Sequence, residues 1–184
     1  MRLRRNKLKP WLLVTGYWLL VLSGCGYTTQ AVLREDVKTM HVEIFENSID
    51  ITKEVSAKDK YEVYRPGIEV DLRDAIVERI FLDGNYKVSS RDSADAILEG
   101  EILQYRKDPL RYQDEDVTEY RISIVCDVTL TRIRDSEILI DAESVTGDTT
   151  YFTTGTLQET ETNALTDAMR DTARRIVNRI VENW

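Results

Sequence analysis

Between Tyr120 and Leu130 the sequence alternates without a break. Tyr120, Ile122, Ile124, Cys126, Val128 and Leu130 take one side, and Arg121, Ser123, Val125, Asp127 and Thr129 take the other. A period of two sustained this far specifies a strand with one buried face, and a helix cannot satisfy it. The strand then needs neighbours to pair with and an apolar layer over its inward face. Partners are readable on both sides. From Ala94 to Tyr105, Ala96, Leu98, Gly100 and Ile102 alternate with Ile97, Glu99, Glu101 and Leu103. A turn at Arg134-Asp135-Ser136 returns the chain as Ile138 to Glu143, the second arm of a hairpin. Lys38 to Phe45 puts Met40, Val42 and Ile44 on one side, and Tyr86 to Ser89 is a further short strand. Cys126 is a core residue by position, where a free thiol packs as a small hydrophobe.

Two helices follow from the other period. The first opens at Pro66-Gly67, runs to about Asp83 and is ended by Gly84-Asn85, with glycine where a left-handed cap is needed. Ile68, Leu72, Ala75 and Ile76 form one stripe, while Val70, Val77 and Phe81 fall nearly opposite. A surface helix needs only one apolar face. Either the domain covers this helix on both sides, or the second stripe meets a partner protein. The last helix runs from about Thr160 to Trp184, with Leu165, Met169, Ala173, Ile176, Ile180 and Trp184 on one stripe. Acids near its start and arginines toward its end complement the helix dipole. The remaining stretches read as connections: Asn47 to Arg65, Arg106 to Val117, and the loop carrying Tyr151-Phe152 beside Gly155.

The N-terminus carries a different message. Arg2, Arg4, Arg5, Lys7 and Lys9 precede an apolar run from Trp11 to Leu22, followed at once by Ser23-Gly24-Cys25. A charged region, a short apolar region and a small-residue cleavage site make an export signal. The run falls short of the ~20 residues of a comfortable membrane span. Leu22-Ser23-Gly24-Cys25 resembles a bacterial lipobox, which predicts residues 1–24 as a lipoprotein signal peptide and Cys25 as the lipidation site. Stable attachment requires more than one acyl chain, which a diacylglyceryl cysteine provides. Bacterial lipoproteins retained at the inner membrane commonly carry Asp after the cysteine. Gly26 stands there instead, so the expected place is the outer membrane, lipid-anchored, on its periplasmic side. Residues 25–36 then form a lipidated tether, and 37–184 a single α/β domain.

Loss of the signal removes five of the 25 Lys and Arg and none of the 33 Asp and Glu, leaving a net charge of −13 in place of −8. So acidic a domain is no partner for nucleic acid. With Cys25 acylated, Cys126 is alone and no internal disulfide can form. The single histidine, His41, falls on the polar face of its strand and lacks a second histidine to share a ligand or base role. No nucleophile, phosphate-loop or metal motif is present. Asp114-Glu115-Asp116 has neither the spacing nor the glycine of a calcium loop. No catalytic residue, metal or cofactor is expected, and the weight falls on a binding or structural role.

Several short motifs occur in a telling order. Cys25-Gly26-Tyr27 is followed by Ile44-Phe45-Glu46-Asn47, then Gly67-Ile68-Glu69, then Ala94-Asp95-Ala96-Ile97-Leu98-Glu99-Gly100-Glu101-Ile102, then Glu119-Tyr120 and a final amphipathic helix ending in Trp. In that order the chain resembles the LPS-assembly lipoprotein family, LptE. The resemblance implies an α+β fold: a two-layer α/β sandwich with a mostly four-stranded sheet and two helices packed on one face. It implies a protein that is not an enzyme and has no cofactor, seated as a plug in the LptD-type outer-membrane β-barrel. Such a protein assists that barrel's assembly and helps deliver lipopolysaccharide to the outer leaflet. Val70, Val77 and Phe81 are the expected barrel contacts. The family's basic loop residues imply lipopolysaccharide-binding roles for Arg106, Lys107 and Arg111, with Arg111 beside Tyr112 foremost, because a guanidinium grips phosphate in a bidentate fork. The loop Thr153 to Gln158 offers no cation, against the family's pattern. The alternative is a periplasmic activator or scaffold lipoprotein acting on a cell-wall synthase or another envelope complex. Such proteins carry a long tether, whereas about ten polar residues follow Cys25 here, each spanning at most ~3.5 Å.

Overall fold

The computed structural model describes residues 36–49, 61–62 and 66–182. The stretch read as an export signal, the expected lipidation site Cys25, and Trp184 lie outside them. Seven strands, β1 (Thr39–Val42), β2 (Glu46–Asn47), β3 (Tyr61–Glu62), β4 (Lys87–Val88), β5 (Ala96–Gln113), β6 (Asp116–Arg132) and β7 (Ile138–Phe152), form one sheet, with helices α1 (Ile68–Asp83) and α2 (Glu161–Glu182). Across the sheet the order is β4-β1-β5-β6-β7. β6 takes one edge of β5 from Ala96 to Gln113, so β1, β2 and β3 share the other edge in turn.

The sheet is therefore larger than the mostly four-stranded one expected. Two of the added strands, β2 and β3, are two residues long and fall at the ends of the stretch read as the Asn47–Arg65 loop. A pair of residues is too short to show a period. The expected loop from Arg106 to Val117 is also mostly strand. β5 and β6 stay paired to Gln113↔Asp116, and Asp114 turns the chain with φ 58°. Backbone pairing does not require apolar side chains, so the alternation stops before the strands do. Likewise Tyr151 and Phe152 belong to β7, opposite Tyr120 and Glu119.

Alternation also fails at the end of β1. Met40 and Val42 are buried as predicted, but Ile44 is 56% exposed and Phe45 only 2%. After Val42 the chain leaves its pairing register, and Phe45 turns inward over Gly100. A Cβ on Gly100 would lie 1.9 Å from the Phe45 ring. Glycine there makes room for an aromatic ring over the sheet.

α1 buries Ile68, Leu72, Ile76 and Ile80, a stripe at helical spacing. Gly84 ends it with φ 76°, its N–H donating to the Ile80 carbonyl at 3.1 Å. α2 buries Leu165, Met169, Ala173, Ile176 and Ile180 as predicted, and also Ala164, Ala168, Thr172 and Val177. α2 packs against β7, β6 and α1, and α1 touches β1 and β4. The fit of α2 on β7 is close. A Cβ on Gly147 would sit 2.1 Å from Thr172 Oγ1 and 2.4 Å from its backbone nitrogen. The Thr172 hydroxyl turns back to donate to the Ala168 carbonyl at 2.8 Å. Cys126 is fully buried, and burial pushes its thiol up to about 12.

At the root of the sheet, where β1, β4 and β5 begin, Arg132 is nearly enclosed. Its guanidinium pairs with Asp36, with Glu137, and with Asp135 at 2.8 Å. Hydrogen bonding from Arg132 holds Asp135 down at about 2 against the cost of burial. Nearby, Asp95 accepts from the backbone N–H of Lys38 at 2.9 Å and of Thr39 at 2.8 Å. These bonds, that from Lys38 foremost, lower its pKa. The first described residues are thus tied to the sheet by two separate carboxylate clusters.

Candidate functional site

The long β5–β6 hairpin carries all three cations proposed for phosphate binding, but it does not bring them together. Successive residues on a strand face opposite ways. Lys107 lies on the face with Ile122, its register partner, and Arg106 lies on the other with Ser123.

Lys107 is engaged inside the protein. Its Nζ is 2.5 Å from Glu161 Oε2 at the start of α2. It also lies 4.3 Å from the centre of the Tyr120 ring and 5.9 Å from that of Tyr151. Those two rings stack at 5.8 Å. Tyr105 O–H donates to Glu161 Oε1 at 3.4 Å, and Tyr151 O–H to Oε2 at 3.5 Å. Burial alone would lower the lysine's pKa, but the hydrogen bonds to Glu161 and Tyr151 outweigh it and the net direction is upward. Tyr105 is pushed up to about 12, first by burial and then by the Glu161 charge. A lysine so placed pins the start of α2 to the sheet.

Arg111 stands free of the core, with its side chain 67% exposed. Its Nε is 3.5 Å from Glu119 Oε2 and its guanidinium 5.9 Å from the centre of the Phe152 ring. Arg106 has a different neighbour. Asp108 follows two residues on along the same face, and Asp108 is the register partner of Arg121. Arg106 and Arg121 are therefore diagonal neighbours on one face, a spacing of roughly 7–8 Å between backbones. Among the described residues neither has a carboxylate within ion-pair reach, whereas Arg111, Arg132 and all four arginines of α2 do. Glu62 of β3 holds the register position opposite Arg106. Arg121 was not among the expected cations. The alternation marked it only as a solvent-side residue, and its proximity to Arg106 depends on the hairpin register.

Of the three residues expected to meet a barrel, Phe81 is 81% exposed and Val70 exposed, while Val77 packs against the core. Val77 adjoins Ile76 at the rim of the buried arc, so the second stripe is shorter than its spacing suggested. His41 is occupied locally, with Nδ1 2.9 Å from the Ser89 carbonyl. Among the described residues no group of His, Cys, Asp and Glu is arranged to hold a metal.

Several solved structures are similar to this chain. The hypothetical protein CT253 from Chlamydia trachomatis is 13% identical, with 79% of this chain and 96% of that one covered and a TM-score of 0.50. A minor lipoprotein from Acinetobacter baumannii is 14% identical, covering 80% and 94%, with a TM-score of 0.47. Rare lipoprotein B from Shewanella oneidensis is 15% identical, covering 76% and 92%, with a TM-score of 0.43. No curated protein sequence matches the chain. The LptE family, described as lipopolysaccharide-assembly, matches residues 37–180. That span runs from just before β1 to the last turn of α2 and takes in every strand of the sheet, so the chain belongs to the LptE lipopolysaccharide-assembly family.

Proposed function

We propose that this protein is a lipid-anchored, non-enzymatic component of the outer membrane. It sits in the lumen of an LptD-type β-barrel, assists that barrel's assembly and helps deliver lipopolysaccharide to the outer leaflet. Cys25 carries the lipid. The family match over residues 37–180 is the observation that carries the reading.

The geometry supports it in two ways. The first concerns the layers. With the helices on the face that bears Lys107 and Gly147, the other face carries Glu99, Arg121, Thr129 and Thr150 beside Ile97 and Val125, while Ser123 and part of Arg106 and Asp108 on that face are covered. A barrel lumen is polar and hydrated, and a sheet face of this composition suits it. Val70, in the first turn of α1, offers apolar contact to the wall. The second is the hairpin. Arg111 at its outer part, with the exposed Arg121 and the partly covered Arg106 on the face away from the helices, gives guanidinium groups for lipopolysaccharide phosphates. Lys107 contributes indirectly, by fixing α2.

Charge reversal tests this site. Arg111→Glu combined with Arg121→Glu is expected to weaken lipopolysaccharide binding at least about ten-fold, the scale of one or two lost charge-assisted hydrogen bonds. Thermal unfolding and recovery of the barrel partner should stay unchanged. Binding equal to wild type would remove the hairpin from the site, and recovery of the chain without a barrel would contradict the lumenal location.

A further inference from the structure

We propose that the root of the sheet rests on the bilayer that holds the acylated Cys25, with apolar side chains at two corners dipping into the lipid interface. The inference rests on Cys25 being acylated; the contact itself is a separate surface.

Chain direction defines that root. β1, β4 and β5 run parallel and begin there, as Thr39↔Lys87 and Met40↔Ala96 show. β6 ends there at Arg132, opposite Ala96, and β7 begins there at Ile138, opposite Thr131. α1 ends there too, because only Gly84 to Tyr86 separate it from β4. One corner carries Phe81 and Leu82, 81% and 67% exposed. The other carries Ile133 and Ile138, also exposed, on either side of the β6–β7 turn. Strand order places the corners three to four spacings apart, about 15–20 Å at ~4.8 Å per strand. Large apolar side chains at both corners of one end are not required by the core, which closes without them.

Position decides what covers them. Asp36 is fastened to Arg132 and lies 3.6 Å from Arg134, so the chain leaves the domain at this same root. Cys25 is 11 residues before Asp36, a reach of at most ~38 Å at ~3.5 Å per residue. β5, 18 residues long, spans roughly 60 Å at ~3.3 Å per residue, and its far turn carries Asp114, Glu115 and Asp116. The lipid can therefore hold the root against the membrane but not the tip. Charge at the root is mixed: Lys38, Lys87 and Arg134 face Asp36, Asp83, Asp135 and Glu137. With no cationic excess, the contact is apolar and takes uncharged or zwitterionic lipid.

A polarity-sensitive fluorophore reads the contact directly. Phe81→Cys, Ile138→Cys and Glu115→Cys are labelled singly in the full chain, purified from membranes with any bound partner; Cys126 is fully buried and stays unlabelled. Each is reconstituted into phosphatidylcholine vesicles and quenched from the lipid by an acyl-chain nitroxide, or from water by iodide. Lipid quenching at 81 and 138 should exceed that at 115 by about three-fold or more, and about 0.5 M salt should leave it unchanged because no charge is being screened. Equal iodide quenching at all three positions, in protein that still floats with the vesicles, overturns the docking and leaves the anchor standing. Shielding of 81 and 138 from both quenchers means that protein covers the corners, and also overturns it. Loss of flotation, with an unmodified Cys25 by mass spectrometry, removes the anchor and the docking together.

Discussion

The two helices are built to different standards, and the difference separates scaffold from surface. α2 has nine buried residues on one broad stripe, a contact with Gly147 close enough to exclude a methyl group, and a Lys107–Glu161 pair at its start. Asp171 accepts from the Asp148 backbone N–H at 3.2 Å, and Arg179 reaches Glu143 at 2.8 Å, so its flank is tied to β7 as well. α1 buries four residues, is bounded by glycine at each end, and leaves Val70, Phe81 and Leu82 exposed. Among the described residues α2 leaves no large apolar side chain exposed, and its outer flank is polar and charged. α1 has apolar surface remaining, and that is where contact with lipid or a barrel wall is proposed.

Core truncation should give the largest effect and should not distinguish the helices. Ile176→Ala and Ile76→Ala remove fully buried side chains and should each cost about 3 kcal/mol, read by urea unfolding. A loss below about 1 kcal/mol for Ile76→Ala would mean that α1 is not packed as described. Gly147→Ala comes next and is specific to α2. Its Cβ would meet backbone as well as side chain, so α2 must lift, at about 2–3 kcal/mol. Thr172→Ala in the same chain should recover little, because the Thr172 nitrogen and Cα remain in the way.

Glu161→Gln sharpens the comparison further. It removes the carboxylate that holds Lys107; with Glu161 partly exposed, the expected loss is about 1 kcal/mol. The sign of its pH dependence follows from the raised folded pKa of Lys107. The pair's contribution is full below the ordinary lysine value of ~10.4 and is lost as pH rises through the folded value. The gap between wild type and Glu161→Gln should thus be constant through neutral pH and close only in strong alkali. The smallest effect belongs to α1. Val70→Ser should change stability by less than about 0.5 kcal/mol while reducing recovery of the barrel partner. Destabilisation well beyond that would show that this face packs internally.

How legible each region was follows from the kind of order it has. α2, β6 and the Gly84 cap were legible because periodicity or a required backbone angle shows in a single stretch. The buried row on α1 was readable except for Ile80, but its second stripe was overextended to Val77, since angular spacing cannot separate the rim of a buried arc from an exposed face. β2, β3, the outer parts of β5 and β7 and the first few residues of β6 were missed. They are held by backbone pairing between polar residues, which leaves no pattern in either strand alone. For the same reason the proposed cation cluster came apart. Arg106 and Lys107 are adjacent in sequence and on opposite faces of the sheet, while Arg106 and Arg121 become neighbours only through the register. The inward turn of Phe45 needed Gly100, which is distant in the chain.

The most direct test of the central claim is surface lipopolysaccharide after depletion of this protein, assayed by labelling intact cells. A role in lipopolysaccharide assembly predicts that surface lipopolysaccharide falls, the barrel partner accumulates unassembled and full-length complementation restores both. Unchanged surface lipopolysaccharide and a fully assembled barrel in depleted cells would contradict it.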